Sequence, residues 1–108
     1  MDRPAPRLSP ETVLVAARGQ VSTEVEGEAV ILSLDDGVYY GLDGVGARVW
    51  ELLTEPRSAA ELRDAVVAEY EVEAETAWRD LERLVAELRT RGLVEVVSDA
   101  GARARKAR

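Results

Sequence analysis

The sequence contains no histidine and no cysteine. Without an imidazole or a thiol, Ser-His-Asp triads, cysteine nucleophiles, zinc centres built on thiolate or imidazole ligands, and disulfide scaffolds are all excluded. Long apolar runs are missing as well, and none approaches the roughly 20 residues of a membrane-spanning helix. Met1 to Pro10 (MDRPAPRLSP) lacks the apolar centre of a secretory signal. A cytoplasmic protein without membrane contact is the expectation. What is present is globular in composition, with 46% hydrophobic against 32% charged residues in a chain of 108, enough for one domain around one core.

Positive charge is scarce except at the end of the chain. Arg103, Arg105, Lys106 and Arg108 crowd the last six residues, so residues 1–99 hold ten arginines against 21 carboxylates and a net charge of −11. A field of that sign repels phosphate and steers cationic partners inward, which argues against nucleic acid as a ligand. The tail GARARKAR has no apolar anchor, and Gly and Ala separate its charges, so it reads as a solvated terminus. The expected organisation is a flexible N-terminus over 1–11, a folded domain over 12–97 and a disordered basic tail over 98–108.

From Thr12 to Leu42 the apolar residues run in short, β-branched stretches, and from Val45 to Leu93 they recur every three to four residues. Strands are expected at Thr12 to Ala16, Ala29 to Leu34 and Val38 to Leu42, the last two forming a hairpin. A three-residue loop with Gly37 left-handed collects the most apolar side chains on one face, namely Val30, Leu32, Leu34, Val38, Tyr40 and Leu42. A first helix of about nine residues should begin after Asp43-Gly44 and stop before Pro56, with Val45, Val49, Leu52 and Leu53 in its stripe and Trp50 at the margin. Ser58-Ala59-Ala60-Glu61 reads as a capping box opening a second helix that buries Leu62, Val66 and Ala65 and closes at Tyr70. A third helix starts near Glu73 and Glu75, carries Ala77, Trp78, Leu81, Leu84, Val85 and Leu88 on its stripe, and ends at Gly92. Leu93 to Val97 is a closing extended segment. The sum is a winged-helix-like α+β fold, a three-stranded antiparallel sheet followed by three helices, with Val38 to Leu42 on an open edge.

The sequence offers little chemistry. Asp35-Asp36 and Glu71, Glu73 and Glu75 are the only paired carboxylates in suggestive places, and turn formation and the helix dipole account for them. Asp35-Asp36-Gly37 lacks the spaced oxygens of a calcium loop, and Gly41, Gly44 and Gly46 lack the spacing and lysine of a phosphate loop. No catalytic residue, metal or cofactor is expected. Two aromatics stand out: Tyr39, on the face of the hairpin opposite the apolar set, and Trp78, among charges early in the third helix. An apolar cleft between an open strand edge and a helix suits the capture of an extended peptide by strand addition. A winged-helix DNA-binding protein has the same order of elements, but its reading helix should be basic, whereas here Glu73, Glu75, Asp80, Glu82 and Glu87 outnumber Arg79, Arg83, Arg89 and Arg91.

The run Asp36-Gly37-Val38-Tyr39-Tyr40-Gly41-Leu42-Asp43, followed by Gly46-Ala47-Arg48-Val49-Trp50-Glu51-Leu52-Leu53, resembles the pattern of PqqD-like proteins. Asp80-Leu81 and Leu88-Arg89-Thr90-Arg91-Gly92-Leu93-Val94 resemble that family's ending, so the likeness covers about residues 20 to 97. Asp43 stands where Asn is common, and the arginine-rich tail falls outside the pattern. The resemblance implies a non-catalytic recognition element that binds the leader of a ribosomally made precursor peptide. The free-standing length and the tyrosines look most like the branch serving lasso peptides. There the partners are a transglutaminase-like cysteine leader peptidase and an asparagine-synthetase-like cyclase. Carried onto this chain, the leader would lie along Val38, Tyr39, Tyr40, Gly41 and Leu42. The facing helix positions would be Trp78, Leu81, Glu82 and Val85, with Asp80 open to a basic leader residue.

Overall fold

A computed structural model describes residues 8–99. The strands are β1 (Thr12–Ala16), β2 (Gln20–Val25), β3 (Glu28–Ser33) and β4 (Tyr39–Asp43), then helix α1 (Gly44–Leu52). After these come β5 (Arg57–Ser58), α2 (Ala59–Tyr70), α3 (Ala74–Thr90) and β6 (Val94–Asp99). An antiparallel three-stranded sheet followed by three helices is therefore present, but its strands are β2, β3 and β4 in that order. β1 leaves that sheet and lies between β5 and β6 in a second one. None of the helices among the described residues is long and apolar enough to cross a membrane. β6 continues two residues past the expected end of the domain, and at the other end the carbonyl of Pro10 already accepts the N–H of Ala60 at 2.9 Å.

β2 has no counterpart among the expected strands, and its side chains explain why. Its inward residue Ser22 is polar, and its hydroxyl accepts the indole N–H of Trp50 at 3.2 Å, while Val21 and Val25 face solvent. A search for inward apolar alternation passes over such a strand. The turn that follows is Glu26-Gly27, with both residues at positive φ (51° and 84°), the geometry of a two-residue hairpin loop usually written with Asn or Asp before the glycine.

The β3–β4 register also differs from expectation by one residue. The loop holds four residues, Leu34 to Gly37. Gly37 does take the left-handed conformation (φ 71°), its N–H reaches the Ser33 carbonyl at 2.8 Å, and the Val38 N–H reaches Asp36 Oδ1 at 3.1 Å. Ile31 therefore faces Tyr40 and Ala29 faces Leu42, and it is Ala29 and Ile31 that are buried, whereas Leu34 is exposed. The indole of Trp50 decides the matter. It is buried, not marginal, and together with Ser22 and the small side chain of Ala29 it lines one hollow, a position that a valine or leucine register would crowd.

The helices follow their signals closely. At the start of α2 the Ser58 hydroxyl accepts the Glu61 N–H at 3.1 Å and the Glu61 carboxylate accepts the Ser58 N–H at 2.9 Å. Replacing Ser58 by Ala is expected to lower stability by about 1 kcal/mol, read from denaturant midpoints at unchanged slope. α2 buries Leu62 and Val66, together with Ala59 in place of the expected Ala65. α3 buries Ala77, Leu81, Val85 and Leu88, a stripe at helical spacing. Leu14 of β1, Ile31 of β3, Val49 of α1 and Leu62 of α2, with Leu53 after α1 and Leu93 before β6, close the centre of the core. Arg48 ties α1 to α2 through a two-pronged pair with Glu69 (2.9 and 3.0 Å), and its guanidinium holds that carboxyl below its usual range.

Candidate functional site

β4 is an edge strand, and its hydrogen-bonding phase is fixed by one contact. The Ser33 N–H reaches the Val38 carbonyl at 3.0 Å, so in an antiparallel ladder the backbone groups of Val38, Tyr40 and Leu42 turn toward β3. Those of Tyr39 and Gly41 turn outward, and among the described residues no strand lies beside them. The edge is neither bulged nor blocked by proline, and Gly41 leaves it bare, since a Cβ there would meet nothing within 4 Å.

Beside this edge runs a groove of about 430 Å³ lined by Val38, Tyr39, Tyr40, Gly41 and Leu42 from β4, by Leu84, Glu87, Leu88 and Arg91 from α3 and its C-cap, and by Leu93. Leu88 and Leu93 are buried and form its floor. Leu84 is half-buried at one end, near Gly46 of α1, which also packs against Leu42. At the other end the Arg91 guanidinium stands 5.1 Å from the centre of the Tyr40 ring and 3.6 Å from the Glu87 carboxylate. That end opens into a wider hollow with Asp36, Ala86 and Thr90 on its walls. The Thr90 hydroxyl is spent on the Ala86 carbonyl at 2.9 Å. The groove thus offers two outward backbone donors, their carbonyls and apolar walls. Such an arrangement has the geometry to take up an extended chain.

All five residues of the expected docking strand line the groove, but the expected helix residues do not. Leu81 and Val85 are 3% and 2% exposed and turned into the core, and neither is among the residues that line the groove. Trp78 faces the other way, its ring 6.0 Å from the Arg63 guanidinium of α2. Asp80 is paired with Arg83 at 2.7 Å on the outer surface, and Glu82 is half-buried outside the groove. The stripe that does face β4 is Leu84, Glu87, Leu88 and Arg91, spaced i, i+3, i+4 and i+7. It lies two turns or so further along the helix, where about 1.5 Å per residue separates Trp78 from Leu88 by some 15 Å. A sequence signal for it existed in Leu84 and Leu88 flanked by Glu87 and Arg91. An amphipathic stripe with charged flanks reads equally well as core with solvated edges, so the sequence alone does not separate those leucines from Leu81 and Val85.

The family profile described as Coenzyme PQQ synthesis protein D (PqqD) matches residues 28–94. Two solved structures are similar over nearly their whole length. TbiB1 in complex with the TbiA(beta) leader peptide is 39% identical, with a TM-score of 0.73, over 79% of this chain and 99% of that one. Lasso peptide synthetase B1 complexed with the leader peptide is 26% identical, with a TM-score of 0.68, over 76% of this chain and 96% of that one. No curated protein matches.

Proposed function

The chain belongs to the PqqD family, and from that premise we propose that it binds the leader of a lasso precursor peptide as an added strand on β4 and presents it to modifying enzymes. The observation that carries the reading is the bare outward edge at Tyr39 and Gly41 directly beside an apolar groove on α3. An antiparallel leader strand bonded to those two residues turns its alternate side chains into the groove. There they meet Tyr40, Leu84 and Leu88, while Glu87 and Arg91 offer a charge of either sign at the far end. The two similar structures, both of leader-peptide complexes, support the ligand class.

In this reading the protein performs no chemistry on the peptide. It raises the local concentration of precursor at a transglutaminase-like cysteine leader peptidase and an asparagine-synthetase-like cyclase. The acidic body and the predominance of carboxylates on α3 weigh against DNA as the ligand. The direct test is a titration of the fluorescein-labelled leader of the precursor encoded in the same gene cluster, followed by fluorescence polarisation. Saturable binding that a scrambled leader does not compete away is the expected result, and indifference to leader sequence would sink the proposal.

The arginine-rich tail lies outside the described residues. Its removal (residues 101–108) is expected to change leader affinity by less than about 1 kcal/mol, because exposed charges contribute little. A larger loss in low-salt titration would make the tail part of the site.

A further inference from the structure

The outward groups of β4 fix how an added strand lines up with the groove. A strand bonded to Tyr39 and Gly41 places alternate residues opposite Leu42, Tyr40 and Val38, on the groove side of the sheet. Running antiparallel to β4, it passes Leu42 first and Val38 last, so those three residues stand at n, n+2 and n+4 toward its C-terminus. The two ends of that path differ in chemistry. At the Leu42 end, a Cβ on Gly46 would meet Leu42 at 3.5 Å and Leu84 at 3.8 Å, so residue n arrives between aliphatic walls. At the Val38 end the groove opens into the hollow of about 620 Å³ between the β3–β4 loop and the end of α3.

Two carboxylates and one guanidinium line that hollow. The Thr90 hydroxyl is already given to the Ala86 carbonyl, so these three charges decide what the hollow accepts. Arg91 is matched within the protein, 3.6 Å from the Glu87 carboxylate and 5.1 Å from the centre of the Tyr40 ring. Asp36 spends one oxygen on the Val38 N–H, and among the described residues it forms no ion pair. The field around it has the same sign, since residues 19–47 hold six carboxylates and no arginine or lysine. An incoming carboxylate would have to face Asp36 and Glu87 together to reach Arg91, whereas an incoming ammonium or guanidinium finds Asp36 open. We infer, on the leader-binding reading, that Asp36 is a specificity-determining residue that selects leaders carrying Lys or Arg at n+4. An apolar residue at n followed by a cation at n+4 also fixes the direction in which the leader lies.

The test uses the full chain and fluorescein-labelled synthetic leaders in which each position in turn is Lys, Met, Ala or Glu, read by fluorescence polarisation. At one position the parent is expected to bind the Lys leader at least about tenfold more tightly than the Glu leader, with Met between them. Asp36→Asn keeps the oxygen that holds the Val38 N–H and loses the charge, and there the preference should fall to within about twofold. Glu24→Gln, which removes a carboxylate on β2, leaves the preference as in the parent. Leu84→Ala locates the other end, because the leader position at which Ala costs affinity in the parent but not in that variant is n. The lysine position must lie four residues after it. If Asp36→Asn melts at lower temperature than the parent, Arg91→Gln replaces it with the opposite expectation, a stronger preference for Lys. A parent that binds leader without preferring Lys at any position overturns the inference, as does a preference that Asp36→Asn leaves intact or Arg91→Gln weakens. A lysine position that precedes n overturns it too. A parent that binds none of the leaders overturns the leader-binding reading itself, a result distinct from binding without charge preference.

Discussion

Gly41→Pro is expected to abolish leader binding while the domain stays folded. The Gly41 N–H points away from β3, so proline there removes no bond of the existing ladder. A Cβ at this position meets nothing within 4 Å, and proline is tolerated on edge strands where the lost N–H faces outward. An incoming strand, by contrast, loses one of its two central donors and meets the ring where its own carbonyl should sit. The missing bond accounts for about 0.5 to 1.5 kcal/mol, and the clash multiplies it, so a loss of at least about 100-fold, or roughly 3 kcal/mol, is expected. Gly41→Ala is the matched control, because it adds a side chain and keeps the donor, and it should bind almost as the parent does. Fluorescence polarisation with the labelled leader and a melting curve on the same sample decide the matter. Undiminished affinity in folded Gly41→Pro would remove strand addition on β4 from consideration.

The second large effect separates two leucines one turn apart on α3. Leu81→Ala should cost about 2 to 5 kcal/mol of stability, since its side chain is packed between Ala77 and Val85 against the rest of the core. The folded fraction should still bind leader with near-parent affinity. Leu84→Ala should do the reverse, weakening leader binding by about 1 to 3 kcal/mol with the smaller stability loss of a half-buried position. Urea unfolding and leader titration on both variants test this together. A Leu81 variant that is stable but does not bind would mean that the groove reaches further up the helix than Leu84.

Why sequence reasoning chose Leu81 over Leu84 has a physical answer. On a helix the two differ by 300° in phase, and a stripe wider than 100° contains both. Which part of that stripe meets a sheet edge depends on where α1 leaves β4 and how far α3 slides along the sheet, and those are tertiary facts. The elements set by local chemistry were legible: the capping box at Ser58 and Glu61, the left-handed Gly37 and Gly92, and the stop of α1 before Pro56. The exposed edge was legible too, because a run ending in Tyr-Tyr-Gly-Leu just before a helix has no further strand to pair with. β2 was not, because a strand that turns its valines to solvent inverts the alternation by which strands are recognised. The register of β3 against β4 was missed for a related reason. Counting apolar residues favours Val30 and Leu32 over Ala29, and only the bulk of Trp50 makes the smaller residue the better neighbour.

The pairing of β1 with β6 also governs the order in which the molecule can assemble. Thr12 faces Asp99 and Ala16 faces Val94, contacts between the two ends of the described chain. The β2–β3–β4 meander and the α2–α3 hairpin are built from near neighbours in sequence and can form early, but β1 has no long partner until the last strand arrives. Leu14, with no exposure in the finished molecule, is until then an apolar residue on an unpaired strand. The first strand of the described residues is thus the last to be satisfied, and closing the long loop between β1 and β6 is the step most open to misassociation.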